Sequence, residues 1–273
     1  MKIVLLLLGA FVLLALVYLF LIAGRRGNPG LKALRSWEYA HRGLHGEGVP
    51  ENSLAAFRAA AEAGYGIELD LHLLRDGSLG VMHDSVLKRT TGREGRMEEL
   101  TAADLKSYSL GGTAETIPEF REVLKLLGGS VPMVIELKTD GDNFNRLAET
   151  ACRALEGYEG LYCIESFDPR CIRWLKKNRP RIVRGQLSDN FLREESGKAS
   201  LPLRFVVTFL LSDCLTRPDF IAYHFPYRGN LSVRANGMLG VQRVGWTIRS
   251  QQELDIARKK GWIPIFEGFT PKP

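Results

Sequence analysis

Residues 67–84 read IELDLHLLRDGSLGVMHD. Two carboxylates, Glu68 and Asp70, stand one residue apart in an apolar run; an Asp-Gly pair follows at Asp76-Gly77, and a second run, 79–84, carries His83. Strand side chains alternate between faces, so Glu68 and Asp70 point the same way. Asp-Gly between two apolar runs is a strong hairpin signal. Buried acids are costly unless paired or bound to a metal, so two acids and a histidine on one folded-back ribbon mark a candidate site. Taken alone, Glu-x-Asp is more often a half-exposed strand with its polar face in water. The surrounding chain decides between the two.

Outward from this ribbon, short apolar runs alternate with helical patterns. Strands are predicted at 37–43, 67–71, 131–138, 161–167, 181–187, 219–225, 241–248 and 263–269. Helices are predicted at 53–64, 117–127, 143–158, 168–179, 230–239 and 250–260, with an irregular helical region over 190–216. Ser53 or Asn52 can cap the first and Gly64 can end it, and Asp168-Pro169 is a cap and first-turn pair. Strands alternating with helices give right-handed βαβ units and a parallel sheet. Eight such units closing on themselves make a TIM (β/α)8 barrel, an α/β fold. A doubly wound open sheet is the alternative, but no Gly-rich phosphate loop follows the first strand. Residues 85–116 have weak periodicity and many turn residues, and read as a small insertion after strand two with one short helix near 102–107.

The chain of 273 residues carries a net charge of +6, and the excess lies near its start. Residues 1–36 hold Lys2, Arg25, Arg26, Lys32 and Arg35 and no acid; without these five, 32 basic residues face 31 acidic ones. A nucleic-acid binder would carry its excess in the folded domain, so no nucleic-acid partner is expected. Residues 3–23 are apolar without interruption, and 21 residues at about 1.5 Å rise span roughly 30 Å, the hydrocarbon thickness of a bilayer. The core of a cleaved signal peptide is only about 7–15 residues, so residues 1–27 read as an uncleaved single-pass anchor in the cell membrane. Residues 28–36, with Asn28-Pro29-Gly30, read as a linker, and 37–273 as the barrel domain. The basic flank lies after the helix, which places the domain on the cytoplasmic side. The oligomeric state is not readable. Cys152, Cys163, Cys171 and Cys214 form no C-x-x-C pair and read as small apolar core residues.

In a TIM barrel the chemistry sits at the C-terminal ends of the strands. Those ends supply His41 and Arg42, Glu68 and Asp70, His83 from the ribbon, and Glu136 and Lys138. Three carboxylates with no cysteine suit a hard divalent cation, Mg²⁺ or Ca²⁺. Arg42 and Lys138 suit an anion, above all phosphate: arginine as a bidentate fork, lysine as a point charge. Histidine titrates near neutrality, so His41 and His83 can move the protons that cleavage of a phosphate ester requires.

These residues resemble a family. His41-Arg42-Gly43, Pro50-Glu51-Asn52-Ser53, Glu68-Leu69-Asp70, and His83-Asp84 with Leu87 and Arg89-Thr90-Thr91 are similar to the successive motifs of glycerophosphodiester phosphodiesterases. The resemblance continues through Ile117-Pro118, Ile135 to Lys138, Ser166-Phe167-Asp168 and Trp246-Thr247, and covers roughly residues 38–270. It implies a TIM barrel with an insertion after strand two, and a divalent metal on Glu68, Asp70 and Glu136. It implies His41 and His83 as the catalytic pair, Arg42 and Lys138 at the phosphate, and Glu51 as a further polar member of the site. It implies hydrolysis of glycerophosphodiesters to glycerol phosphate and an alcohol, by attack of a neighbouring substrate hydroxyl to give a cyclic phosphate that water then opens. The chain departs from the pattern twice. Leu74 precedes Arg75-Asp76-Gly77 where Thr-x-Asp-Gly is usual, and the last strand ends in Glu267-Gly268-Phe269-Thr270 where Asp-Gly-x-x-Thr-Asp is usual.

Two alternatives accompany this reading. One is a lysophospholipase D or sphingomyelinase D-like enzyme acting on lysophospholipid, which a membrane anchor favours. The other is a catalytically silent, membrane-anchored barrel that binds lipid. Trp246 is expected to stack on the substrate. His45, in a glycine-rich loop, and His72, near the hairpin, are expected at the surface, whereas His224 ends a strand and could reach the site. The basic run from Arg170 to Arg184 reads as a solvated helix face.

Overall fold

The computed structural model describes residues 1–193 and 200–272. The chain opens with helices α1 (Lys2–Ile22) and α2 (Pro29–Leu34). The first barrel units follow as β1 (Tyr39–Ala40), α3 (Leu54–Glu62) and β2 (Gly66–Leu73), with β3 (Leu79–Val81) and α4 (Lys88–Thr91) as an excursion. Next come α5 (Phe120–Leu127), β4 (Met133–Leu137), α6 (Phe144–Ala154), β5 (Tyr162–Ser166), α7 (Pro169–Asn178) and β6 (Arg184–Ser188). The chain continues through α8 (Leu201–Thr208), α9 (Asp213–Thr216), β7 (Phe220–His224), α10 (Leu231–Met238), β8 (Gln242–Ile248), α11 (Gln251–Lys259) and β9 (Ile263–Phe266).

Eight of these strands pair in parallel in the order β1, β2, β4, β5, β6, β7, β8, β9, and β9 returns to β1 to close the barrel. The architecture is the TIM barrel that the alternation of strands and helices predicts. β3 lies outside the ring, antiparallel to the end of β2, with Leu71 opposite Val81. The Asp76-Gly77 turn makes this possible: Gly77 sits at φ 86°, and the Asp76 side chain accepts from the Ser78 amide at 3.0 Å.

The first strand is shorter than expected. It stops at Ala40 because Arg42 turns into the left-handed region at φ 55° and Gly43 follows at 79°. Only glycine fits at position 43, since a Cβ there would stand 2.8 Å from the Ala56 backbone. Helix α3 begins where Ser53 accepts from the Ala56 amide, and α7 where Asp168 accepts from that of Arg170. Part of the 190–216 reading, residues 194–199, lies outside the described residues, as does Pro273.

Within 28–36, read as a linker, Pro29–Leu34 form the helix α2. Asn28 caps it, Pro29 starts it, and Leu31 and Leu34 bury themselves at the floor of the barrel beside Tyr39, Val183 and Phe220. Among the described residues α1 is the one helix long and apolar enough to cross a membrane. Its last two turns lie on the barrel: Tyr18 shares a 2.7 Å hydrogen bond with Ser232, and the Arg217 guanidinium donates to the Phe20 and Ala23 carbonyls. Of the basic run, Arg184 is buried rather than solvated, because it donates to the Thr216 and Arg217 carbonyls and its amide to Asp219.

Candidate active site

The parallel register sets three carboxylates at one level. Asp70 on β2 pairs with Glu136 on β4, and Glu136 with Glu165 on β5, so all three point into the barrel from neighbouring strands. Glu68 lies two residues earlier on the same face. Glu68, Asp70 and Glu136 are buried and offer one oxygen each, all within 4.8 Å of one another. Lys138 pairs with two of the three, 2.7 Å from Glu136 and 3.0 Å from Asp70.

The β1–α3 loop closes over this cluster. The left-handed turn at Arg42 aims its amide at Glu68 Oε2 (3.0 Å) and brings the guanidinium 3.6 Å from Asp70. Asn52, also left-handed at φ 55°, donates from its side chain to Asp70 at 2.8 Å and from its amide to the Arg42 carbonyl at 2.9 Å. Two bulky residues in this sparsely populated region cost free energy, and both serve the carboxylates. Glu51 receives Arg42 at 3.0 Å and Arg89 at 2.6 Å, and Arg89 in turn bonds Asp84. Asp84 Oδ1 lies 2.7 Å from Nδ1 of His83. One network therefore runs from Arg42 to His83.

His41 lies against the other side of the cluster. Its Nδ1 is 2.7 Å from Glu267 Oε2 and its Nε2 is 3.8 Å from Glu68. A carboxylate only accepts, so Nδ1 of each histidine carries the proton and Nε2 is left free. A cavity of about 270 Å³ opens beside both rings. Its polar wall is His41, Arg42, Glu68, His83, Glu136 and Lys138; its apolar wall is Phe167, Phe191 and Trp246.

Burial and crowding set the charges. Burial, then repulsion from Asp70 and Glu136, pushes the Glu68 carboxyl well above its usual range. Burial also raises Glu136, to about 7, with Lys138 opposing and Asp70 adding to the rise. Asp70 is buried too, yet the cations of Lys138 and Arg42, with the hydrogen bond from Asn52, hold it far below the carboxylate range. Burial lowers His83 to about 4, and it lowers His41 despite the hydrogen bond to Glu267. Both imidazoles are thus neutral near pH 7 and able to accept a proton at Nε2.

Three buried carboxylates that repel one another suit a hard divalent cation, and oxygen-only donors fit Mg²⁺ or Ca²⁺ better than a soft metal. The geometry therefore brings His41, His83, Glu68, Asp70, Glu136, Arg42 and Lys138 to one end of the barrel, with Trp246 on the opposite wall. Glu51 stands behind Arg42 rather than on the cavity wall. His224 does not line the cavity; it stacks on Trp246 at 5.0 Å and bonds Asp189 at 3.1 Å. His72, expected at the surface, is buried. The insertion folds back over the ribbon and its Glu98 meets His72 at 2.9 Å. His45 is half-buried rather than exposed.

Four residues of this site escape a reading of the sequence by motif alone. Asp84 and Asn52 sit inside quoted motifs, but no spacing says that Asp84 turns back on its neighbour His83 or that Asn52 reaches Asp70 on β2. Glu165 shares the inward parity of Glu136, a signal available from strand register. Glu267 meets His41 only because the barrel closes.

Residues 41–270 match the model of the glycerophosphoryl diester phosphodiesterase family. Over 158 residues, 54% of this chain, it is 37% identical to a glycerophosphodiester phosphodiesterase of Caldanaerobacter subterraneus subsp. tengcongensis, and the match covers 65% of that relative. A glycerophosphodiester phosphodiesterase of Bacillus altitudinis is 35% identical over 155 residues, 53% of this chain and 63% of its own length. The chain therefore spans a little under two thirds of these curated relatives. Among solved structures, an Oleispira antarctica phosphodiesterase in complex with the product sn-glycerol-3-phosphate superposes with a TM-score of 0.69, covering 84% of this chain and 92% of that one at 21% identity. A Thermotoga maritima glycerophosphodiester phosphodiesterase gives 0.64 at 23% identity, with 84% and 92% covered. At such identities the structures speak for the fold. The family model, matched over most of the barrel, speaks for descent: this chain belongs to the glycerophosphoryl diester phosphodiesterase family.

Proposed function

We propose that the barrel, residues 37–273, hydrolyses glycerophosphodiesters to glycerol phosphate and an alcohol. The observation that carries the reading is the facing of two oriented histidines across a buried carboxylate trio, with Arg42 and Lys138 between them. Glu68, Asp70 and Glu136 would hold Mg²⁺ or Ca²⁺. That cation, when bound, supplies positive charge beside the phosphate oxygens. Arg42, braced by Glu51, offers a fork to phosphate. Lys138, kept charged by Asp70 and Glu136 despite its burial, offers a second cation.

One histidine takes the proton from a substrate hydroxyl adjacent to the phosphate. The hydroxyl oxygen bonds phosphorus, the bond to the leaving oxygen breaks, and the other histidine, which takes up a proton at Nε2 when the anionic phosphate binds beside it, gives that proton to the leaving oxygen. Water then opens the cyclic ester with the proton roles reversed. Trp246, with Phe167 and Phe191, forms the apolar wall against which the leaving group lies. That wall favours one second reading, a lysophospholipid in which an acyl-bearing group lies along it. Helix α1 would anchor the enzyme in a membrane as a single span, with Arg25, Arg26, Lys32 and Arg35 on the cytoplasmic side.

The test is an assay on glycerophosphocholine, glycerophosphoethanolamine and lysophosphatidylcholine before and after chelation. Turnover is expected to vanish on chelation and return with Mg²⁺ or Ca²⁺. His41→Ala and His83→Ala are each expected to lose at least ~10² in kcat with the fold retained. Turnover that survives exhaustive chelation would remove the metal from the reading. A preference between the glycerophosphodiesters and the lysolipid decides the substrate.

A further inference from the structure

The course of α1 along the barrel has a direction. Gly24 packs against Pro218 and Val241, and Arg25 pairs with Asp219; these residues precede β7 and β8, at the floor. Tyr18, six residues earlier, meets Ser232 in the first turn of α10, which starts where β7 ends, at the catalytic end. Ala15, Tyr18, Leu19, Leu21 and Ile22 are the more shielded residues of this stretch, and all but Leu21 form one stripe at helical spacing. Traced backwards, α1 therefore climbs the wall of the barrel from floor to catalytic rim, and its exposed remainder projects beyond that rim.

A length argument follows. The whole helix is about 31 Å long at 1.5 Å per residue, roughly the hydrocarbon thickness of a bilayer. Some 12 Å of it, residues 15–22, is laid against the barrel. The free part alone is too short to cross, so for α1 to span, the catalytic rim beside it must enter the membrane interface.

That rim is apolar. Helix α8 is perched there: the Thr208 carbonyl accepts from Tyr223 and from Asn230, the cap of α10, and the Val207 carbonyl accepts from Ser188 at the end of β6. Leu201, Leu203 and Phe205 on α8 are 67, 50 and 49% exposed, and Leu231, at the start of α10 beside Tyr18, is 63% exposed. Such apolar groups on one rim are a liability in water and an anchor in lipid. The rim also leads to the cavity, since Arg204 of α8 donates to the carbonyl of Phe191, a residue of its apolar wall.

We propose that the α8–α10 rim is a bilayer-docking surface that turns the mouth of the barrel toward the membrane, so that substrate enters from the lipid interface rather than from bulk water. This rests on reading α1 as a membrane span. It commits to lipid as the partner because an apolar helix of bilayer length passes the same edge.

The experiment uses the full chain in phosphatidylcholine–phosphatidylglycerol vesicles. In a Cys214→Ser background, Leu203→Cys, Leu231→Cys, Leu13→Cys and Lys259→Cys are each labelled with an environment-sensitive fluorophore and exposed to lipids bearing a nitroxide quencher. Leu13 reports α1 and Lys259 the floor. Loss of fluorescence at 203, 231 and 13, with none at 259, is the expected result. Quenching at 13 alone overturns the docking surface and leaves the anchor standing. Quenching at none of the four overturns both. Quenching at 203 and 231 without 13 upholds the surface and removes the span. In a parallel assay, Leu203→Asp with Leu231→Asp is expected to leave turnover of glycerophosphocholine unchanged. The same pair is expected to cut turnover of vesicle-borne lysophosphatidylcholine roughly tenfold, as the apolar area that docks is lost. Equal turnover of the vesicle-borne lipid would overturn the proposal. The quenching needs no activity, so failure of the hydrolytic reading shows separately.

Discussion

Glu267 does for His41 what Asp84 does for His83. Each carboxylate accepts the hydrogen bond from Nδ1–H and leaves Nε2 facing the cavity. The hydrogen bond from His41, the largest influence on Glu267, holds its carboxyl down to about 2, so it remains an acceptor throughout the neutral range. Glu267→Gln replaces that acceptor with a group that can also present an N–H to the ring. We expect kcat to fall tenfold or more with KM little changed, because orientation and tautomer of the imidazole are lost while substrate contacts remain. Wild-type kcat in a folded Glu267→Gln protein would show that His41 needs no partner. The residue was legible in the chain only as a departure from a pattern. Its importance depends on β9 lying beside β1, a pairing between chain ends that no local spacing reveals. Glu68, Asp70 and Glu136 were legible because parity on an apolar strand is local. Asn52 was not, because its left-handed backbone and its reach to Asp70 depend on a loop packed over another strand.

At the level of elements, strand and helix alternation was legible, since periods of two and of 3.6 are written into short stretches. The excursion after β2 was visible only as weak periodicity, and its packing stayed hidden. It forms a small core of its own, with Leu74, Met82, Met97 and Leu105, and folds over the ribbon so that Glu98 covers His72. Burial would raise the Glu98 carboxyl, but hydrogen bonds from His72 and Ser85 prevail and hold it at about 2. A carboxyl lowered in the folded state adds stability above its unfolded pKa, near 4.3, and loses it as pH falls through the folded value. Glu98→Gln is therefore expected to cost about 1 kcal/mol at pH 7, or roughly 2–4 °C in Tm, allowing for partial solvent screening. The gap to wild type should narrow between pH 5 and pH 2 in thermal melts. A gap that stays constant over that window would place the cost in packing rather than charge.

Over the whole molecule, the barrel closes around like charges that its own residues only partly offset. Asp70 keeps its charge through Lys138 and Arg42, whereas burial pushes Glu68 far upward and Glu136 to about 7. A divalent cation would let all three ionise together, and it would bind only where β2 and β4 are already side by side. Binding to the folded state alone stabilises by mass action, about 2.7 kcal/mol at 100-fold excess over Kd, or roughly 5–10 °C for a domain of this size. Mg²⁺ or Ca²⁺ is therefore expected to raise Tm of the chelated protein by that order. Glu68→Gln separates this gain from any change in the barrel itself. The Glu68 carboxyl is already held toward its neutral form, and glutamine keeps an oxygen to accept from the Arg42 amide, so the chelated variant should melt close to wild type. With one anionic ligand gone, its Tm should no longer rise with the cation. A full metal-induced rise in Glu68→Gln would place the cation elsewhere, and a large fall in the chelated variant would mean that Glu68 carries its charge in the folded protein without a metal.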